Sequence, residues 1–92
     1  MKTQPRFPQP DAEEMRRRHY SHGAIDGTLH IRSLGDEQVL AAARNQESDA
    51  HRAILKHLGT NTNPSWITGR CAEEAYERGL IGEREFDYLF DQ

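Results

Sequence analysis

Hydrophobic residues recur at helical spacing through the second half of the chain. In the first such segment, Val39, Leu40 and Ala43 lie three or four residues apart, as on a helix with one buried face. Asp36 is suited to cap its N-terminus, and Asn45 readily adopts the left-handed conformation that ends helices. We therefore predict a helix between these two residues.

Three further helices are predicted from capping residues and apolar spacing. Ser48 can cap the first, over residues 49–58. Asn63 can cap the second, in which Pro64 takes the first helical position and Gly79 follows the end. A short last helix follows the Gly-Leu-Ile-Gly turn. The apolar faces of the three helices are formed by Ile54, Leu55 and Leu58, by Ile67, Cys71, Ala72, Ala75 and Tyr76, and by Phe86, Leu89 and Phe90.

The first ten residues differ in composition from the rest of the chain. They contain three of its four prolines, and proline fixes the backbone and removes an amide donor. We therefore predict an extended arm over residues 1–10. Asp11 then precedes Glu14 by three residues, a capping-box-like pattern that predicts a short helix over residues 12–20.

Residues 21–32 carry conflicting signals. Asp26-Gly27 is a dipeptide that suits a two-residue type I′ turn, and residues 28–32 alternate between polar and apolar as a half-buried strand does. One interpretation is therefore a minor β-hairpin near residues 21–32. The alternative is an irregular loop that is held by its isoleucine and leucine side chains.

Together these patterns predict a mainly α-helical fold, a small bundle of four or five short helices with an extended N-terminal arm. We expect residues 11–92 to form a single small helical domain. Only 35% of the residues are hydrophobic and 29% are charged, and a chain this short hides only about 60 to 65% of its unfolded surface. So small a core indicates either marginal stability or a partner that covers some of the apolar surface.

Charge is unevenly distributed along the chain. The net charge is −3, but residues 1–20 hold five basic side chains against three acidic ones, whereas residues 71–92 hold seven acids against two arginines. Ends of opposite sign can attract each other within the fold or in a neighbouring copy. No apolar run resembles a secretion signal or a membrane span, and Cys71 is the single cysteine. We therefore expect a soluble, cytoplasmic protein without an internal disulfide.

The densest cluster of reactive side chains is the segment RRRHYSH at positions 16–22. Guanidinium groups suit bidentate phosphate contacts, so one hypothesis is a nucleic-acid-associated regulator that uses Arg6, Arg16, Arg17 and Arg18. Three successive residues, however, fan over about 200° of a helix, and the acidic C-terminal third would repel a phosphate backbone. We therefore prefer an acidic patch on a protein, the chain's own or a partner's, as the target of these arginines.

The histidines raise the question of a metal site. His19 and His22 are three residues apart, and a hairpin could bring His30 close to them, which would supply three imidazoles for zinc. A zinc-stabilised module is thus a third hypothesis. The alternative interpretation is that His19 and His22 face solvent at a helix C-terminus, where positive charge is favourable. Cys71 lies on an apolar helix face, where a thiol is an inert packing residue. Without an active-site motif, we predict no enzymatic activity, no cofactor and no metal.

Trp66 is the most informative aromatic residue. It faces partly away from the apolar stripe of its helix, and Arg70 follows it by four residues, on the same side of the helix. We prefer the interpretation that it packs on the preceding helix; the alternative is an exposed anchor, since Trp and Arg are enriched at binding hot spots. Tyr88 and Phe90 raise the same question. The predicted partner-binding residues are Arg16, Arg17, Arg18, Tyr20, Trp66, Arg70, Tyr88 and Phe90.

These observations predict a non-enzymatic protein-binding module. We expect a small adaptor, inhibitor or regulator that occupies a surface of a larger protein, an inhibitor of phage or plasmid type being one example. A homodimer through the C-terminal helix is a separate prediction. The alternatives are the nucleic-acid-associated regulator and the zinc-stabilised module.

Overall fold

A computed structural model describes residues 11–18, 21–59 and 61–90. The prediction of a mainly α-helical fold is confirmed, with six helices and no strand among these residues. The predicted arm of residues 1–10 lies outside the described residues. The helices are α1 (Ala12–Arg17), α2 (His22–Arg32), α3 (Asp36–Arg44), α4 (Asp49–Leu58), α5 (Pro64–Glu77) and α6 (Glu83–Phe90).

The predicted β-hairpin near residues 21–32 is wrong, because this segment forms α2. The hydroxyl oxygen of Ser21 accepts a hydrogen bond from the amide of Ala24 at 3.1 Å and so caps the helix. The small residue Gly27 lies inside α2 instead of in a turn. One face of α2 is buried against the other helices, since Ile25, Gly27, Thr28 and Ile31 are all buried.

Most of the other predicted helix ends are confirmed. The side chain of Ser48 accepts from the amide of His51 at 3.1 Å, and that of Asn63 accepts from the amide of Ser65 at 2.9 Å. Two glycines adopt positive φ just after α4 and α5, Gly59 at 107° and Gly79 at 75°. These φ values lie where residues with a Cβ are strained, so both helices stop where the glycines predicted.

Three helix ends differ from the prediction. The cap of α3 is Gly35, whose amide donates to Oε1 of Gln38 at 3.0 Å. Asn45 is extended, at φ −149°, and not left-handed. Its Oδ1 atom accepts from the amide of Glu47 at 2.8 Å, so its side chain shapes the turn into α4. The first helix ends at Arg17 instead of extending to residue 20.

The core is built around α5, which contacts α2, α3, α4 and α6. Its buried face includes Ile67, Cys71 and Ala75, as its apolar spacing predicts. The short helix α1 lies against α2 and buries Met15 completely. The buried core cluster consists of Ile31, Val39, Ala42, Ala43, Ile54, Ile67, Cys71, Ala72, Ala75, Ile81, Phe86 and Leu89.

Candidate protein-interaction groove

A groove of about 310 Å³ lies between α2, α5 and α6. Three of the predicted partner-binding residues, Trp66, Arg70 and Phe90, line it together. They come from two helices that are separated by a turn, so only the tertiary structure places them side by side. We call this the Trp66 groove; its lining residues are Ala24, Thr28, Ser65, Trp66, Gly69, Arg70, Glu73 and Phe90.

The floor of the Trp66 groove follows from the spacing along α5. Trp66, Gly69, Arg70 and Glu73 lie at positions i, i+3, i+4 and i+7, so they share one face of the helix. Gly69 has no side chain on this face, and the ring of Phe90 lies beside it. A Cβ atom at position 69 would be 3.7 Å from Cε2 of Phe90, which is an ordinary van der Waals distance.

Trp66 is held in place by a close contact with α2. A Cβ atom at Gly27 would be 2.8 Å from Cη2 and 2.9 Å from Cζ3 of the indole, and 3.1 Å from Cδ1 of Leu58. The ring therefore packs on α2, and it is half-buried against the core. Gly27 is the residue that makes this approach possible. That the ring also packs on the preceding helix stays a prediction.

A second recess of about 250 Å³ also borders Trp66. Its walls include Ser21, Asp26, Leu58 and Thr62, and it shares Trp66 and Ala24 with the Trp66 groove. Trp66 thus borders two concave surfaces. A ligand in either recess would contact the only tryptophan of the chain.

The charged residues of the Trp66 groove form an ion pair. Nη1 of Arg70 donates to Oε2 of Glu73 at 2.5 Å, and the two side chains are only 20% and 13% exposed. Partial burial strengthens such a pair relative to one in solvent. The groove therefore combines two aromatic rings with an oriented, largely desolvated pair of charges.

The two exposed aromatic residues of α6 face different recesses. Phe90 is 45% exposed and borders the Trp66 groove, whereas Tyr88 is 68% exposed and lines a recess beside Arg44 and Gln46. Residues two positions apart on a helix point about 200° from each other. The predicted homodimer through this helix could therefore bury only one of these rings in any one contact, and it stays a prediction.

The predicted basic cluster lies apart from the lining of the groove. Arg16, Arg17 and Arg18 are exposed at the end of α1, and Nη2 of Arg18 is 2.7 Å from Oε1 of Glu14. This exposed i, i+4 pair neutralises part of the local charge. Tyr20 lies outside the described residues.

The hairpin that would have brought His30 close to His22 is replaced by α2. Both residues belong to this helix, and eight positions separate their backbones by about 12 Å. The ring of His30 instead stacks on that of His57 in α4, with centroids 3.9 Å apart. His19 lies outside the described residues, and among those described no cluster of metal ligands is present.

His51 is a buried polar residue that the apolar pattern did not reveal. Its ring is 1% exposed, and Nε2 lies 3.2 Å from the carbonyl oxygen of Pro64. A carbonyl can only accept, so this hydrogen bond requires the proton to be on Nε2; the hydroxyl of Thr68 lies 3.4 Å from the same nitrogen. Nδ1 has no hydrogen-bond partner among the described residues, so protonating it would bury an unpaired donor. Burial accordingly lowers the pKa of His51.

Cys71 is completely buried, as its position on the apolar stripe predicts. Burial raises the pKa of its thiol to about 12. The thiolate that would act as a nucleophile or metal ligand is therefore scarce at neutral pH.

Sequence reasoning missed the small residues of the groove. Ala24 and Thr28 on α2 are four residues apart, as are Ser65 and Gly69 on α5. Small residues at this spacing are a sign of closely packed helices or of an open groove. The signal in α2 was hidden, because Asp26-Gly27 indicated a turn.

No protein-family model matches the chain, and no curated protein or solved structure matches it significantly. Any proposal about function therefore rests on the geometry of the chain itself. None of the helices in the described ranges has the length and apolar character needed to cross a membrane.

Proposed function

We propose that this protein is a non-enzymatic protein-binding module whose recognition surface is the Trp66 groove. The observation that carries the proposal is that Trp66, Arg70 and Phe90 line one concave surface. Tryptophan and arginine in partly desolvated pockets are the residues that contribute most to binding energy at protein interfaces. A small adaptor, inhibitor or regulator would use such a surface to occupy a site on a larger protein.

The chemistry of the groove indicates what a partner must offer. Two aromatic rings over a glycine accept flat or apolar groups, and Arg70 and Glu73 present an oriented donor and acceptor at the wall. A segment with apolar side chains and at least one charged or hydrogen-bonding group fits this arrangement. Such a segment would exclude water from the ion pair, which strengthens the pair's electrostatic interactions.

Gly69→Gln tests the proposal without removing a core contact. The new Cβ has room beside Phe90, and the longer side chain would fill the groove. Ala53→Gln is a matched control, because Ala53 is exposed on α4 and lines none of the recesses described. Each protein is immobilised and used to capture partners from a lysate of the source cells, and the affinity of each captured protein is then measured after purification.

We expect at least one protein that binds the wild type and Ala53→Gln equally and binds Gly69→Gln about tenfold more weakly, the scale of losing one good interface contact. Equal affinity for all three proteins would rule out the Trp66 groove as the recognition surface. Circular dichroism of each variant verifies that its helix content is unchanged.

A further inference from the structure

A smaller recess beside the Trp66 groove has one charged wall. Its lining residues are Ser21, Gly23, Ala24, Asp26, Leu58, Thr62 and Trp66, and we call it the Asp26 recess. It lies where the first half of α2 meets the end of α4 and the beginning of α5. Among the described residues that line it, Asp26 is the only one with a charged side chain. The recess therefore presents a negative charge to a ligand.

Apolar side chains form another part of the Asp26 recess. Leu58 and the indole of Trp66 both lie close to α2, since a Cβ atom at Gly27 would be 3.1 Å from Leu58 and 2.8 Å from the indole. Such close packing leaves these two side chains little freedom to move. The apolar part of the recess is therefore formed before a ligand binds, which lowers the entropic cost of binding.

The carboxylate of Asp26 is available to a cationic ligand. Its side chain is 69% exposed, and Nε2 of His57 lies 3.8 Å from its Oδ2 atom. This distance exceeds that of an N–H···O hydrogen bond, about 2.7 to 3.2 Å, and the imidazole is charged only when it is protonated. The carboxylate therefore keeps acceptor sites for a donor that a ligand supplies.

We propose that the Asp26 recess binds an arginine side chain of a protein partner. The methylene groups of the arginine would lie against Leu58 and Trp66, and its guanidinium would meet the carboxylate of Asp26. Long cationic side chains bury their carbon chain on apolar surface while the charged end stays near water. A volume of about 250 Å³ suits a single side chain, because pockets for drug-sized ligands measure about 300 to 1,000 Å³.

Arginine fits this arrangement better than lysine. The planar guanidinium can donate two parallel hydrogen bonds to one carboxylate, whereas the ammonium of lysine is a more strongly hydrated point charge. A guanidinium also stacks on indole rings. The net charge of the chain, −3, adds a long-range attraction for a basic partner.

The arginine site deepens the proposed function, and it rests on that function for the claim that the arginine belongs to a protein partner. The Asp26 recess and the Trp66 groove share Ala24 and Trp66. A partner that fills both would therefore carry an apolar side chain for the Trp66 groove and an arginine close to it.

The Nα-acetyl amide of arginine is a probe for this site. The same derivative of citrulline is its control, because citrulline has nearly the same shape without the charge. Binding to the 15N-labelled full-length protein is followed by NMR at about pH 7.5, where an ordinary imidazole is mostly neutral. The signals used are the indole N–H of Trp66 and the backbone amides of Ala24 and Thr62, which line the recess.

We expect the arginine amide to shift these signals with a Kd of about 1 to 10 mM, as suits a ligand of so few atoms. We expect the citrulline amide to bind about three- to fivefold more weakly, the effect of losing one exposed ion pair. Equal affinity of the wild type for the two amides would overturn the proposal. Shifts by the arginine amide that spare all three signals would also overturn it.

Asp26→Asn is expected to weaken binding of the arginine amide by about three- to fivefold and to leave binding of the citrulline amide unchanged. Asp49→Asn is the matched control, because it removes the same charge from an exposed position of α4, nine residues before Leu58. It should bind both amides as the wild type does. An unchanged affinity of Asp26→Asn for the arginine amide would exclude the site, and circular dichroism verifies that each variant is folded.

An arginine from a second copy of the chain is the competing occupant. Light scattering of the wild type and of Asp26→Asn over a range of concentrations distinguishes it from a different partner. We expect the same mass for both proteins. A dimer of the wild type that Asp26→Asn dissociates would overturn the assignment to a different protein.

The two proposals can fail separately. If the arginine amide does not bind while Gly69→Gln weakens a captured partner, the arginine site is excluded and the binding module stands. If the arginine amide binds through Asp26 while no partner depends on Gly69, the arginine site stands and the Trp66 groove is excluded as the recognition surface.

Discussion

Gly27 and Gly69 are helical glycines beside aromatic rings, but the space around them is very different. A Cβ atom at Gly27 would lie 2.8 Å from the indole of Trp66, whereas one at Gly69 would lie 3.7 Å from Phe90. Alanine favours a helix over glycine by about 0.5 to 1 kcal/mol. At position 27, a steric clash therefore opposes the gain in helix propensity that alanine would bring. At position 69, no clash opposes this gain.

We predict that Gly27→Ala lowers the free energy of unfolding and that Gly69→Ala raises it. Overpacking a helix contact costs about 1 to 3 kcal/mol, so we expect a net loss of about 1 to 2 kcal/mol for Gly27→Ala after the gain in helix propensity. For Gly69→Ala we expect a gain of about 0.5 to 1 kcal/mol. Urea unfolding followed by circular dichroism measures both.

The contact with Trp66 can be isolated by a double-mutant cycle. If the indole causes the loss in Gly27→Ala, the same substitution in a Trp66→Leu background should be neutral or stabilising. An equal loss in both backgrounds would show that the indole contact is not the cause.

His51 makes stability depend on pH. Burial lowers the pKa of His51, and burial together with His57 lowers the pKa of His30. The unfolded chain therefore takes up protons more readily than the folded one as the pH falls through 6.5, the ordinary imidazole value. The stabilisation is complete above that pH and is lost below it, with a slope of up to about 1.4 kcal/mol per pH unit for each group.

We predict that the free energy of unfolding falls from about pH 7 to about pH 5, above most carboxylate pKa values. His51→Gln should make this slope shallower, because glutamine can donate to the carbonyl of Pro64 and does not titrate in this range. His30→Gln should reduce the slope independently. Urea unfolding at half-unit pH intervals tests this, and curves for His51→Gln that run parallel to those of the wild type would contradict it.

At the scale of helices, Arg78 connects the end of α5 to the turn between α2 and α3 by hydrogen bonds. Its guanidinium donates to the carbonyl oxygens of Leu34 at 2.9 Å and Arg32 at 3.1 Å. It also donates to the carboxylates of Asp36 at 3.0 Å and Glu74 at 2.8 Å. The planar guanidinium reaches four acceptors at once. Lysine has only three N–H donors, all on one nitrogen, so it cannot reproduce this arrangement.

We predict that Arg78→Lys destabilises the protein nearly as much as Arg78→Ala, by about 1 to 3 kcal/mol, because both variants leave carbonyl groups of the turn without their donor. Arg52→Ala on the exposed face of α4 is the control and should change stability by less than about 0.5 kcal/mol. Thermal and urea unfolding measure these effects. Full stability in Arg78→Lys would show that the charge alone suffices.

Helices α4 and α5 could be predicted because their local signals agree. Their capping residues, the proline in the first turn of α5 and the glycines after both helices coincide with apolar residues at helical spacing. The prediction of α3 and α6 depended on apolar spacing, since Gly35 and not Asp36 caps α3. Local signals in α2 disagree, since Asp26-Gly27 and Thr28 favour a turn or a strand. The buried face of α2 against α4 and α5 outweighs these preferences, because tertiary burial contributes more than intrinsic propensity.

At the scale of the whole molecule, the charge distribution favours the proposed function over the nucleic-acid hypothesis. The basic cluster consists of three exposed arginines on a short helix, and one of them is paired with Glu14. Affinity for nucleic acid depends on the number of phosphates that are neutralised. So few basic groups, on a chain with a net charge of −3, offer little neutralisation.

We predict that mobility-shift assays at about 0.15 M salt detect no complex with DNA or RNA at micromolar protein, and that any binding at lower salt corresponds to at most about three phosphates. Arg16→Glu combined with Arg17→Glu is the matched variant and should abolish any residual binding. Submicromolar affinity with a steep salt dependence would favour the nucleic-acid-associated regulator instead.

The sequence by itself determined the helical class, the ends of α4 and α5, and the burial of Cys71, because caps, glycines and apolar spacing act over a few neighbouring residues. Only the tertiary structure decided that residues 21–32 form a helix and that Trp66, Gly69 and Phe90 line one groove. These outcomes depend on contacts between distant parts of the chain. The Gly27 position shows the reason: its missing side chain signals a turn locally, but its role is set by an indole that lies 39 positions away.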